Sequence, residues 1–371
     1  MKEIGIYVHI PYCKSKCYYC DFISFSKKEE TIEKYIETVK KEIDDCKLTG
    51  FNIKTIYIGG GTPSYIESRH ILDIIAKIKE KFIVLQNAEI TIEVNPGTVT
   101  KEKLQDYKKA GVNRLSIGLQ STDNRTLKQI GRIHTYEEFL ETYDLAREVG
   151  FNNINIDFIF ALPNSDEWGT ALQISEIINL KPEHISSYSL ILEENTKLKE
   201  LVESKELELP SEDEERKMYW KMKNLLEENG YKHYEISNFA LPGYESKHNT
   251  DCWNQKEYLG FGAAAHSYFN SKRYSNSKTI DEYIENYNNK TIEEEQDKET
   301  MAKEYMILGL RKIEGVSISE FERKFQINPL FYFRFEISKL VEEELIEIDL
   351  DNIKLTEKGL DFANIVFEEF I

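Results

Sequence analysis

The chain lacks any apolar run of membrane-spanning length. Its longest hydrophobic stretches, such as Ile4 to Ile10, are strand-sized and fall well short of the roughly 18–20 residues that a transmembrane helix needs. Cysteine is scarce and odd in number: Cys13, Cys17, Cys20, Cys46 and Cys252. Met1-Lys2-Glu3 leads directly into a strand-like run, so no signal peptide is expected and a disulfide framework is excluded. A cytoplasmic protein is expected. Positive charge is also short. Lys and Arg total 48 against 66 Asp and Glu, a formal charge of −18, which disfavours a broad phosphate-binding surface. There is no low-complexity tract, and no internal repeat longer than an alternation of strand and helix. With 371 residues, 40% of them hydrophobic and 12% aromatic, the chain can build two domains around real cores.

The first 195 residues alternate between strand-like and helix-like segments. Strands are expected at Ile4–Ile10, Lys54–Ile58, Glu89–Val94, Asn113–Leu119, Ile154–Phe160 and His184–Leu192. Helices are expected at Thr31–Leu48, Arg69–Phe82, Lys101–Ala110, Thr135–Val149 and Glu167–Asn179. Short βα connections imply parallel strands, because each crossover needs a helix. An open sheet and a closed or partial barrel both satisfy this pattern. In either, catalytic groups sit at the C-terminal ends of the strands. Those ends read Gly59-Gly60-Gly61-Thr62-Pro63, Glu93-Val94-Asn95-Pro96, Gln120-Ser121, Asp157 and Tyr188. Beyond residue 210 a long helix, Asp213–Asn229, leads into a glycine- and proline-marked loop. Helices at Ser317–Phe325 and Pro329–Glu344, a ribbon at Ile346–Leu355 and a helix at Glu357–Phe370 then suggest a small winged-helix-like domain. The expected division is a core at 1–210, a helix and loop extension at 211–290 and a C-terminal domain at 291–371.

Three of the five cysteines fall within eight residues, as Cys13-x-x-x-Cys17-x-x-Cys20. Three thiolates on one short loop suit three irons of a [4Fe–4S] cluster and leave the fourth open. Zinc is the alternative, but no second cysteine pair or adjacent histidine completes a four-ligand set, although His9 lies near. Cys46 reads as core.

This spacing, after the first strand of a βα series, resembles the radical S-adenosylmethionine (SAM) superfamily. The resemblance implies a partial TIM-like (β/α)6 barrel in which the open iron binds SAM. Tyr7, Gly60, Gly61, Thr62, Glu93, Gln120, Arg132 and Asp157 are similar in type, order and spacing to the SAM site of the oxygen-independent coproporphyrinogen oxidase group. There Arg132 could pair the SAM carboxylate, and Glu93 and Asp157 could accept from ribose hydroxyls or balance the sulfonium. Each alternatively serves the fold, Asp157 as a strand-end cap and Arg132 as a surface ion pair. Within that group the chain most resembles the heme-chaperone branch, the HemW family. Cys20 is followed by Asp21-Phe22, where the true oxidase carries a further cysteine. His248-Asn249-Thr250-Asp251-Cys252-Trp253 resembles that branch's His-Asn-x-x-Tyr-Trp motif, with Cys252 in the tyrosine position. Gly260–Ser267 and Leu355–Gly359 match as well.

The resemblance implies a heme chaperone with heme at His248, SAM contacts that include His266, and a [4Fe–4S] cluster on Cys13, Cys17 and Cys20. It implies a heme-acceptor partner, possibly of the respiratory chain, an electron donor to the cluster and transient membrane association through the acceptor. No nucleic acid is expected. The alternative function is radical decarboxylation of coproporphyrinogen III propionates to vinyls. Cys252 reads as a small buried group, as an iron ligand or as an attachment point for a heme vinyl. His9 is expected beneath the cluster. His70, His134, His184 and His233 are expected to be structural.

Overall fold

The computed structural model describes residues 1–371. Its first half runs β1 (Lys2–Ile10), α1 (Ile32–Asp45), β2 (Phe51–Gly60), α2 (Ser68–Lys81), β3 (Ile83–Val94), α3 (Lys101–Ala110), β4 (Arg114–Gln120), α4 (Asn124–Gln129), α5 (Tyr136–Val149), β5 (Ile154–Phe160), α6 (Glu167–Asn179) and β6 (His184–Ser189). The six strands are parallel and adjacent in chain order. Local chemistry sets the helices. Tyr35, Ile36, Val39 and Ile43 give α1 one buried face, and Thr135 with Glu138 closes a capping box on α5, satisfying backbone donors that the helix leaves free.

The strands alternate as a half-polar sheet must. Ile56, Ile58, Ile90, Ile92, Leu115 and Ile117 join the main apolar core. The intervening Tyr57, Glu93, Ser116 and Asp157 line a cavity on the other face. The sheet does not close. Beyond β6 it continues antiparallel through β8 (Asn238–Ala240) and β7 (Lys232–Glu235), which follow α7 (Lys197–Glu203) and α8 (Glu212–Glu228). On the opposite edge, β1 pairs in parallel with β9 (Tyr258–Phe261), which follows α9 (Lys247–Trp253). β10 (His266–Phe269), β11 (Lys272–Ser275), α10 (Ile280–Asn286) and β12 (Thr291–Glu295) complete that edge. The result is a partial barrel.

The C-terminal region starts with α11 (Lys298–Gly309) and builds a second core around Met306, Phe321, Leu340 and Ile353. A three-stranded sheet, Val316–Ser317, Asn352–Leu355 and Ile346–Asp349, flanks helices at Ile318–Phe325 and Arg334–Glu342, giving the winged-helix-like form. The expected helix Pro329–Glu344 breaks at Phe333, and Glu357–Phe370 breaks at Phe362. The segment expected as a glycine- and proline-marked loop instead holds α9, α10 and five short strands, β7 to β11. Gly260 and Gly262 serve close packing. A Cβ on Gly262, at φ +99°, would meet the His9 carbonyl oxygen at 2.6 Å. No helix is long and apolar enough to cross a membrane.

The extension is tied to the barrel by one buried carboxylate. Glu42 of α1 is 4% exposed. It accepts from the Gly262 backbone at 2.9 Å, Tyr283 Oη at 2.6 Å and Asn276 Nδ2 at 2.9 Å, and it pairs with Lys290 Nζ at 2.8 Å. All four partners lie between residues 262 and 290. Glu42→Ala takes the acceptor from three buried donors and from Lys290, whose side chain is 31% exposed, a change that costs about 1–3 kcal/mol for a buried donor left unsatisfied. Urea denaturation read by circular dichroism should show that loss.

Candidate functional site

At the C-terminal ends of the strands lies a cavity of about 470 Å³ whose lining includes Cys13, Cys17, Cys20, Gly60, Gly61, Thr62, Glu93, Gln120, Arg132 and Asp157. The loop that carries the cysteines is pinned at its base. Phe25 N donates to Pro11 O at 2.7 Å, and Cys13 N to Phe25 O at 3.0 Å. The glycine run is zipped beside it, with Gly61 N on Ile10 O at 2.9 Å and Thr62 N on Tyr12 O at 2.8 Å. Side chains would block this approach. A Cβ on Gly60, at φ +113°, would meet the His9 ring at 2.5 Å, and one on Gly61 the Tyr12 carbonyl oxygen at 2.9 Å.

Each sulfur has defined surroundings. Thr62 Oγ1 donates to Cys13 Sγ at 3.4 Å and accepts from Asn95 Nδ2 at 2.9 Å. Arg132 Nη1 lies 3.6 Å from Cys17 Sγ, while Nη2 donates to Asn95 Oδ1 and Gly118 O, both at 2.6 Å. Arg132 is therefore not the surface ion pair that was the alternative reading of it. Its Nε is buried without a partner, leaving a donor for an incoming acceptor. Burial pushes the Cys13 and Cys20 thiols up, Cys20 to about 11, so a metal binding here must displace protons. No three His, Cys, Asp or Glu side chains are arranged to hold a single ion. Three thiols around a roomy cavity, with no fourth protein ligand, fit a cluster better than a tetrahedral zinc.

Deeper in the cavity, Glu93 accepts from Tyr57 Oη at 2.9 Å and Gly60 N at 3.1 Å. Burial, and then the charge of Asp157, raise its pKa to about 7. Burial also raises that of Asp157. Asp157 accepts from Asn155 Nδ2 at 2.8 Å and Ser116 Oγ at 3.0 Å. Gln120 is held at φ +73°, where the pairing of β4 with β5 shifts register, a strained backbone that non-glycine residues rarely adopt.

Tyr7, His248 and His266 do not join this group. They line an adjacent cavity of about 420 Å³, together with His9, Ile23, Cys252, Tyr258 and Ala264. Asp21 and Phe22 line both cavities. They form a rim that the two cavities share, with Phe22 68% exposed. His248 is not in an open loop; it is in α9 and 8% exposed. Glu89 accepts from the backbone of Lys247 at 3.1 Å and His248 at 3.0 Å, fixing the start of that helix. The His248 ring bonds Thr55 Oγ1 through Nδ1 at 2.8 Å and stacks on Tyr57 at 5.2 Å. Burial, helped by Arg114, lowers its pKa to about 4, so the imidazole is neutral. His9 Nε2 faces Ile23 O at 2.9 Å and so carries the hydrogen, which leaves Nδ1 to accept from Tyr7 Oη at 2.9 Å. His266 is half exposed, with Nδ1 3.2 Å from a Glu293 oxygen. Burial raises the Cys252 thiol to about 12, keeping it neutral.

His184 is a core residue held by Asn155 and Tyr234. Cys46 caps the C-terminus of α1, partly buried. Asn95, Thr55 and Glu89 were not singled out as site residues. Asn95 was visible as a polar strand exit, whereas Thr55 and Glu89 act through contacts nearly 200 and 160 residues away and carry no local signal.

Residues 7–172 match the Radical SAM superfamily and residues 296–362 the HemN C-terminal domain. Fold and site together define a radical SAM protein with a HemN-type C-terminal region. The chain is 38% identical, over all of its length and 98% of the relative, to the heme chaperone HemW of Lactococcus lactis subsp. lactis (strain IL1403). It is 36% identical to that of Bacillus subtilis (strain 168), over 98% of both chains. The chain belongs to the HemW family. Among solved structures, coproporphyrinogen III oxidase (HemN) from Escherichia coli shares its fold, with a TM-score of 0.86 at 21% identity over all of this chain and 90% of that one.

The raised pKa of Glu93 has a stability consequence. Between an ordinary 4.5 and about 7, the folded state keeps a proton that the unfolded state has lost, so this group's contribution falls as pH rises through that window. Glu93→Gln removes the penalty. In ligand-free protein the variant should gain on the order of 3 kcal/mol above pH 7 and nothing below 4.5, as read by urea unfolding across pH.

Proposed function

We propose that this protein is a heme chaperone. It holds a [4Fe–4S] cluster on Cys13, Cys17 and Cys20, binds SAM beside the cluster, keeps heme in the adjacent cavity at His248, and passes that heme to an acceptor protein. One observation carries the reading: a three-thiol cavity and a histidine-lined cavity share the Asp21–Phe22 rim. When bound, the cluster supplies a one-electron reductant with an open iron for the amino and carboxylate groups of SAM.

The chain's own groups have separable tasks. Thr62 and Arg132 direct donors at the sulfurs of Cys13 and Cys17. The unpaired Nε of Arg132 is available to the SAM carboxylate, and Gly60, Gly61 and Gln120 shape the cavity around it. Glu93 and Asp157 are buried acceptors for ribose hydroxyls. Tyr7 acts through His9, which braces Ile23 next to that rim. With Nδ1 on Thr55, His248 presents Nε2 as a neutral donor for iron. Phe22 follows the last cysteine where the oxidase carries another thiol, and this favours chaperone over decarboxylase.

The reading assigns 1–210 to cluster and SAM, 211–290 to the motif that holds heme, and 291–371 to a packing module. It includes an electron donor, a heme acceptor possibly of the respiratory chain, and transient membrane contact made through that acceptor. The site of action is the cytoplasm, without nucleic acid.

Anaerobic reconstitution should give a brown protein whose iron and sulfide are lost when Cys13, Cys17 and Cys20 all become alanine; retention of both overturns the cluster assignment. Heme titration should saturate at one per chain and transfer to an apo-acceptor, with His248→Ala binding more weakly. Conversion of coproporphyrinogen III to protoporphyrinogen IX by the purified protein would establish the decarboxylase instead.

A further inference from the structure

We propose that His266 is a second histidine that, together with His248, would hold the heme. The inference rests on the heme reading above and extends it to the coordination of the iron.

Three imidazoles line the second cavity, those of His9, His248 and His266, and their hydrogen bonds tell them apart. His9 has both ring nitrogens engaged, one by Tyr7 and one by Ile23, so it has no lone pair to give. His248 is engaged at Nδ1 by Thr55 Oγ1 at 2.8 Å. His266 is engaged at Nδ1 by Glu293 at 3.2 Å. Each of the latter two therefore has Nε2 as its free nitrogen. A hydroxyl or carboxylate on the other ring nitrogen is the usual way a metal-binding imidazole is held in orientation and tautomer.

The two rings reach the cavity from different elements. His248 comes from α9, packed against β2 through Thr55 and Tyr57. His266 begins β10, which pairs with β9 through Tyr268 and Tyr258. Its backbone is pressed onto that strand: a side chain at Gly260 would overlap the His266 carbonyl oxygen. Cys252 lines the same cavity but is a buried, neutral thiol, which is a poor iron ligand.

The two ligands differ in access. His248 is 8% exposed, whereas the His266 side chain is 52% exposed and its partner Glu293 38%. This asymmetry suits hand-over. His266, the more accessible of the two, would give up its bond to the iron as a ligand of the acceptor takes its place, with no change of oxidation state, while the buried His248 would keep its hold.

The test uses the full-length, heme-loaded protein under anaerobic conditions. Wild type should show the absorption and EPR spectra of six-coordinate, low-spin, bis-imidazole ferric heme. His266→Ala should keep one heme per chain but become five-coordinate and high-spin, return to low spin on addition of free imidazole, and release heme to apomyoglobin about tenfold faster. Glu293→Gln leaves the ring in place and guards against misfolding of the alanine variant; it should move the spin-state transition to a different pH. A high-spin wild type, or a His266→Ala protein with the wild-type spectrum, overturns the proposal. If His248→Ala then still loses the low-spin signature or the heme, the chaperone site at His248 stands without His266. If neither histidine affects the spectrum, the heme reading of this cavity falls too.

Discussion

Both cavities exist because β1 has a parallel neighbour on each side. β2 flanks it through a register running from Lys2 to Ile10, and β9 through one running from Gly5 to Val8. The loop leaving β1 therefore emerges between two walls. On one side the Gly60–Thr62 segment is bonded to its base. On the other, Gly262 and Ala263 are held by Glu42 and Tyr35. Tyr35 also donates to the His9 carbonyl at 2.8 Å, so one hydroxyl ties the end of β1 to the extension. Without the β9 edge, the three-thiol cavity would remain and the histidine cavity would lose Tyr258, Ala264 and His266 from its lining.

The electrostatics follow from burial on the concave face. Glu93 and Asp157 share that space with Arg132, and each stays there through hydrogen bonds rather than ion pairs. Buried ionisable groups lose solvation that only well-formed partners replace. Here the partners are amides, hydroxyls and backbone, which leaves a carboxylate poised near neutrality and an arginine with a free donor. Such unpaired capacity is typical of a site that expects a ligand. The neutral state of His248 has the same origin.

Much of this was legible in the residues. The six βα units were found, three of their helices or strands to the residue: Lys101–Ala110, Ile154–Phe160 and Glu167–Asn179. Strong periodicity and capping residues mark those segments. The cysteine spacing, the glycine run and the polar strand exits do come together in one cavity. The extension was not readable. Its strands are three to five residues long, too short for periodicity to register, and Gly260 and Gly262 read as turns when they mark close strand packing. The position of His248 was missed for a related reason. Glu89, Thr55 and Tyr57 fix it, and nothing near residue 248 announces partners so distant along the chain. Tyr7, grouped with the SAM residues by order and spacing, and His266, by the resemblance of its segment, line the neighbouring cavity instead of the three-thiol one.

Asp21 and Phe22 belong to the same short loop as the three thiols. The two cavities consequently share part of their geometry: the loop that carries the three thiols is also the rim of the histidine-lined chamber.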